Sequence, residues 1–248
     1  MKRSLSNLSK YSIQTKDGTN GKIKDFLFDE ESWVIRYIDA DFGGLFKNRR
    51  ILIPTALLGE PDWEGKHFPI NLSEKSIQAC LELDDKAPVS REYENALNKY
   101  YEIRNYWPHG YTITAAASMI FPPRPLQVPS KIVSEEELDT ELRSYNELKG
   151  YHINAVDGKL GSVKDVITDE EDWQIVYAII DTSDWQPWSK KVLLPINWLN
   201  KISYTKKEVN IELHTGTIKN APEFEDMVNL NLELENELYD FYKNSQTY

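Results

Sequence analysis

Asp17-Gly18-x-x-Gly21-x-x-Lys24-Asp25 returns 140 residues later as Asp157-Gly158-x-x-Gly161-x-x-Lys164-Asp165. Asp29-Glu30-Glu31-x-Trp33 likewise returns as Asp169-Glu170-Glu171-x-Trp173, and Tyr37 as Tyr177. After one extra residue near 182–190 the offset becomes 141: Arg49-Arg50-Ile51-Leu52-Ile53-Pro54 answers Lys190-Lys191-Val192-Leu193-Leu194-Pro195. The chain is a duplication, and a repeat of this length sets the architecture before any single element does. What the copies share is expected to serve the fold, and where they differ is the better place to look for function.

Each copy opens as β-structure. Tyr11–Thr15 reads as a short strand, and Asp17-Gly18 supplies a tight turn. Ile23, Phe26 and Phe28 make the next strand, which the acidic Asp29-Glu30-Glu31 ends. From Trp33 to Asp39 the chain alternates, with Trp33, Ile35 and Tyr37 expected on one face. Pro54 ends the Arg50–Ile53 strand, and Phe68, Ile70 and Leu72 alternate again, as do Val209, Ile211 and Leu213. Short strands with Gly and Asp turns point to a small barrel, whose closure removes exposed edges. Tyr93, Leu97, Tyr100, Tyr101 and Leu234, Leu238, Phe241, Tyr242 fall at helical spacing. The fold expected is mainly β: two tandem small antiparallel barrels of six strands, each followed by a helix, paired about a pseudo-twofold axis. The units span 1–107 and 144–248.

Between them, 108–143 reads as a linker. Pro122-Pro123-Arg124-Pro125 and Pro129 enforce extended backbone, and Ser134 with Glu137 can form a capping box. Its apolar residues Ile113, Met119, Ile120 and Phe121 are expected to pack across the barrels.

The chain has 248 residues and a formal charge of −11, which argues against general nucleic-acid or anionic-membrane binding. One cysteine, Cys80, excludes an intrachain disulfide framework and a Cys-rich zinc site. It suggests a reducing, cytoplasmic setting and is expected to be a buried thiol. No apolar run follows the basic Met1-Lys2-Arg3-Ser4, so no signal peptide is expected, and the longest apolar stretch, Ile113–Phe121, is too short to span a membrane.

The hairpin Asp17-Gly18-x-x-Gly21-x-x-Lys24-Asp25-Phe26-Leu27-Phe28-Asp29, then Trp33-Val34-Ile35-Arg36-Tyr37-Ile38-Asp39 and Arg50-Ile51-Leu52-Ile53-Pro54, resembles the PRC-barrel. That is the small barrel of the photosynthetic reaction centre H subunit and of the ribosome maturation factor's C-terminal domain. Ala87-Pro88-Val89-Ser90-Arg91-Glu92-Tyr93-Glu94 and Asn220-Ala221-Pro222-Glu223-Phe224 look like the segment after the barrel in bacterial tandem PRC-barrel proteins. The resemblance implies an adaptor or assembly module with no catalytic residues to carry over. The H subunit's membrane helix and the maturation factor's RNA-associated domain have no counterpart here, so neither role is expected.

The acidic clusters at 29–31 and 169–172 read as solvated hairpin tips, because turns favour Asp and exposed charge. The Asp-Gly-x-x-Gly turns lack the alternating ligands of a calcium loop. His67, His109, His152 and His214 show no zinc-helix spacing, and neither a nucleophile elbow nor a phosphate loop occurs. No catalytic residue, metal or cofactor is assigned. The copies differ most in the loop before the basic strands, Asp41–Asn48 against Asp181–Ser189. Loops on rigid scaffolds carry binding, and aromatics and Arg dominate interface hot spots. The candidate partner-binding residues are therefore Phe42, Phe46, Arg49, Arg50, Trp185, Trp188, Lys190 and Lys191. The competing reading is that these side chains bury the interface between halves or plug a barrel end. The function expected is a non-catalytic adaptor for a protein partner, with homo-oligomerisation open. A small-molecule or metal-responsive module, or a hydrolase with a spatially assembled site, are the alternatives.

Overall fold

The computed structural model describes residues 1–43, 50–81, 89–107, 142–182 and 190–245. The first half runs β1 (Lys2–Ser4), α1 (Leu5–Leu8), β2 (Ser12–Thr15), β3 (Asn20–Asp29), β4 (Ile35–Asp41), β5 (Ile51–Pro54), β6 (His67–Ile70), α2 (Glu74–Gln78) and α3 (Arg91–Tyr100). The second runs β7 (Leu142–Ser144), α4 (Tyr145–Leu148), β8 (His152–Ala155), β9 (Gly158–Asp169), β10 (Ile175–Asp181), β11 (Lys191–Pro195), β12 (Leu199–Ser203), β13 (Glu208–Ile211), α5 (Thr215–Asn220) and α6 (Leu232–Asn244). The expected linker packing of Ile113, Met119, Ile120 and Phe121 lies outside the described residues, as does the Ser134–Glu137 capping box. β7 begins at Leu142, inside the stretch expected as linker.

Two curled sheets result, ordered β5-β4-β3-β2-β6 and β11-β10-β9-β8-β13-β12. Both are antiparallel except for one pair each, β2 with β6 and β8 with β13. The β12–β13 ladder pairs Leu199 with Ile211 and Ser203 with Glu208. Its counterpart in the first half shrinks to two isolated bridges, Leu58 with Ile70 and Asp62 with His67. Proline accounts for this. Pro69 stands where the second half has Asn210, and it has no N–H to give a ladder.

β1 and β7 leave their own halves. β1 pairs with β9 of the second half, Lys2 opposite Asp169 and Ser4 opposite Ile167. β7 pairs with β3 of the first, Leu142 opposite Asp29 and Ser144 opposite Leu27. The two registers are equivalent at the 140-residue offset, so each half completes the other's sheet by reciprocal strand exchange. The hairpin turns meet on the same axis. Val34 bridges Gln174, its own repeat partner. The Ile35 N–H donates to the Trp173 carbonyl at 3.0 Å, and the Ile175 N–H to the Trp33 carbonyl at 2.8 Å. Residues of both halves share one contiguous core.

The expected alternation from Trp33 is corrected by a β-bulge. Phe28 faces Ile35 but Leu27 faces Tyr37, so Arg36 is the extra residue. Ile35 therefore joins the inner core, while Tyr37 points the other way and packs with Leu27, Leu52, Tyr93 and Leu97. That outer face is covered by α3. Ser90 caps α3 by accepting from the Tyr93 N–H at 3.1 Å, and Asn231 caps α6 from Leu234 at 3.0 Å. Tyr242 of α6 is buried and donates to the Leu193 carbonyl.

Candidate functional site

The repeated motif divides its labour: Asp17, Asp157, Gly21 and Gly161 shape their own half, while Asp25 and Asp165 reach the other. The Asp17 carboxylate accepts from the Glu74 N–H, at 2.9 Å to its nearer oxygen, and so caps α2. Asp157 does the same for α5 through the Thr215 N–H at 2.7 Å. Gly161 is required by close approach, since a Cβ there would lie 2.0 Å from the Asp181 carbonyl oxygen. A Cβ on Gly21 would strike the Phe42 ring at 2.7 Å.

Asp25 and Asp165 receive the exchanged arms. Asp25 accepts from the Ser144 hydroxyl at 2.5 Å and the Asn146 N–H at 3.0 Å. Asp165 accepts from the Ser6 hydroxyl, from the Ser6 N–H at 3.2 Å and from the Tyr145 hydroxyl at 2.7 Å. Burial pushes the Asp25 carboxyl up, against the hydrogen bonds from Ser144, Asn146 and Phe26 that hold it down.

The acidic tips are not simply solvated, which corrects the sequence reading. Asp29 is buried and accepts from the Ser32 N–H and hydroxyl. Glu170 pairs with Arg3 at 2.6 Å, and Glu30 with Arg143 at 2.8 Å. Each arginine comes from an exchanged strand and also lies over an aromatic ring at equivalent positions, Arg3 on Trp63 at 3.5 Å and Arg143 on Tyr204 at 4.4 Å. The sequence reading missed these arms. The signal was present: Arg3-Ser4-x-x-x-Leu8 repeats as Arg143-Ser144-x-x-x-Leu148, again at 140.

Of the eight candidate contact residues, Phe46, Arg49, Trp185 and Trp188 lie outside the described residues. The structure places the other four as follows. Phe42 is half-buried and packs on the core over Gly21. Arg50 is half-buried and paired with Asp39 at 2.8 Å. Lys190 donates to the Ala221 carbonyl at 2.6 Å. Lys191 is exposed on β11. Phe42 and Arg50 therefore adjoin one barrel end in the first half, and Lys190 and Lys191 the same end in the second.

A second polar cluster lies under α3. Glu94 is fully buried. It is paired with Arg91 at 3.2 Å and accepts from the Tyr106 hydroxyl at 2.9 Å. Burial pushes its carboxyl up to about 7, although Arg91 and the tyrosine hydroxyls favour the charged form. Asn98, also buried, accepts from the Tyr37 hydroxyl at 2.9 Å. Cys80 is a buried thiol, as expected, 3.2 Å from the Tyr101 hydroxyl.

The cleft between the halves, about 440 Å³, is lined by Arg36, Trp63, Phe68, Glu170 and Trp173 among others. Two of these, Trp63 and Glu170, are both engaged by Arg3. Among the described residues no group of three or more His, Cys, Asp or Glu side chains is placed to hold a metal ion. No helix among them is long and apolar enough to cross a membrane.

Fold and geometry together define a tandem small-barrel protein whose two halves are interlocked by exchanged strands. The PRC-barrel domain model matches residues 2–75 and 141–221, more than half of the chain, and the chain belongs to the PRC-barrel family. Both matches begin at the exchanged arms. PRC-barrels are a non-catalytic domain family and often serve as protein-interaction modules. No curated protein matches the chain.

Proposed function

We propose that this protein is a non-catalytic adaptor that docks onto a protein complex in the reducing cytoplasm, through the loop surface built on Phe42, Phe46, Arg49, Arg50, Trp185, Trp188, Lys190 and Lys191. One observation carries the reading. Three of the acidic pairs that the copies share, Asp17/Asp157, Asp25/Asp165 and Glu30/Glu170, have partners within the fold. Specific chemistry is then left to positions where the halves differ, and the aromatic and basic loops are the largest such difference. The buried thiol of Cys80 accords with a reducing setting. The test is affinity capture from the source cell with wild type and a Trp185→Ala/Trp188→Ala variant. A partner recovered by wild type and lost from the variant is expected. Equal recovery by both would remove the loop from the reading, and no specific partner in either would remove the adaptor role.

A further inference from the structure

The two post-barrel helices are equivalent, yet among the described residues only one of them is covered by a returning strip. After α3 the chain reverses at Glu102, which adopts φ 57°, and doubles back along the helix. The Ile103 N–H donates to the Asn98 carbonyl at 2.9 Å. The Asn105 side chain bonds Asn98 at 3.0 Å and Asn95 at 2.7 Å. Tyr106 delivers its hydroxyl to Glu94 and its ring to the Arg36 guanidinium, 4.0 Å from the ring centre. Arg91 lies over Trp107 at 4.3 Å. An extended strip from Ile103 to Trp107 thus seals the face formed by Arg91, Glu94, Asn95 and Asn98.

At the 141-residue offset the same face of α6 is Leu232, Glu235, Asn236 and Tyr239. α6 runs on to Asn244, and no returning strip covers this face among the described residues. Leu232 is 73% exposed and Tyr239 65% exposed, two of the few large apolar side chains so placed. The Glu235 side chain is 23% exposed where Glu94 is fully buried. It is held by Lys2 at 2.8 Å and by the Tyr177 hydroxyl at 3.3 Å, so the Tyr–Glu pair of the first half persists. Beside it a groove of about 370 Å³ is lined by Val176, Tyr177, Pro195, Ile196, Leu238 and Tyr239. In the first half the equivalent neighbourhood, next to Arg36 and Glu94, is where Tyr106 sits.

Deepening the adaptor reading and resting on it, we propose that this face of α6 with its groove is a docking site for an extended protein segment. The segment presents an aromatic side chain, tyrosine or tryptophan, next to a basic residue. The occupant is argued from the molecule itself, because the first half closes the same face with Ile103-Arg104-Asn105-Tyr106-Trp107. The basic residue follows from the excess acidity of α6 as a whole, Glu233, Glu237 and Asp240 against Lys243, since Glu235 is already paired with Lys2. An aromatic body suits a groove walled by Val176, Ile196 and Leu238, with a hydroxyl or indole N–H able to reach Glu235. Leu232, standing where the first half has Arg91, makes the rim apolar.

The probe is a capped peptide with the sequence of residues 102–107, Glu-Ile-Arg-Asn-Tyr-Trp, titrated into the full-length protein with amide NMR as readout. Saturable shifts confined to 232–239, 176–177 and 196–197 are expected at submillimolar to millimolar peptide. Leu232→Ser and Tyr239→Ala, both at exposed positions, should each weaken binding about tenfold while leaving the thermal unfolding midpoint in place. A peptide with alanine for both aromatics should not bind. Absence of shifts at millimolar peptide, shifts elsewhere, or shifts indifferent to both variants would overturn the proposal. Self-association of the wild type that Tyr239→Ala abolishes would make a second copy the occupant and overturn it equally. Failure here, with partner capture still dependent on Trp185 and Trp188, leaves the adaptor reading standing.

Discussion

Glu94 is a carboxylate with no exposed surface, held between Arg91, Tyr106 and Tyr37, and its proton affinity is set by a contest between burial and those partners. Burial wins, and the group titrates at about 7 instead of its ordinary 4.5. A raised folded-state value means that the folded protein binds the proton more tightly than the unfolded chain. The associated stability is fully present below about pH 4.5 and is lost as pH rises through about 7. Between those limits the slope approaches one proton, about 1.4 kcal/mol per pH unit. Glu94→Gln should therefore flatten the fall in stability from pH 5.5 to 8, read as urea midpoints across that range. A variant profile parallel to wild type would assign the slope to other groups. Asp165 makes a different prediction. It takes bonds from Ser6 and Tyr145, so Asp165→Ala leaves the buried Tyr145 hydroxyl and the half-buried Ser6 donors unanswered and should cost about 2–3 kcal/mol by urea denaturation. Asp165→Asn keeps one acceptor oxygen and should cost less. The sequence marked Asp165 only as one member of a repeated motif. Which donors it meets depends on an arm from the other half, and no local pattern encodes that.

At the scale of elements, the strands and the two post-barrel helices were legible because alternation and helical spacing are local properties. The strand exchange was not, because a three-residue strand carries too little pattern to reveal whose edge it joins. Trp33 and Trp173 show the same limit. Both take left-handed backbone, φ 57° and 61°, which a sequence reader would not assign to tryptophan. That conformation points each carbonyl across the axis at Ile175 or Ile35, so the local strain is offset by bonds between halves. The arms themselves can be weighed by a double-mutant cycle on Arg3 and Glu170. Their side chains are about one-quarter exposed and 2.6 Å apart, and Arg3 is further fixed on Trp63. A coupling near 1 kcal/mol is expected, at the upper end for ion pairs that water can reach. A coupling near zero would mean that the backbone ladder of β1 with β9 alone holds the arm. The candidate loops were legible only as differences between copies, and Arg50 and Lys190 show why composition alone misleads. Both basic side chains are engaged within the fold, by Asp39 and by the Ala221 carbonyl.

For the whole molecule, the exchange makes the two halves one cooperative body, although the duplication invites a picture of two beads. β3 and β9 each end in a pairing with a strand from the other half. The core is contiguous across the axis, and Arg3 and Arg143 each bind an acidic tip of the opposite half. Opening the halves would expose two sheet edges and strip both arginines of their partners. A single urea transition is therefore expected, coincident by tryptophan fluorescence and far-ultraviolet circular dichroism. The covalent link between halves adds an effective concentration, which for linked modules reaches the order of millimolar. A protease site placed within 108–141 gives the decisive comparison. After cleavage, the two fragments should still elute together at the size of the intact chain at micromolar concentration. Their joint unfolding midpoint should rise with protein concentration, while that of the uncut chain stays fixed. Fragments that separate on cleavage, or an uncut chain that unfolds in two steps, would show that the exchanged arms decorate two independent barrels and do not join them.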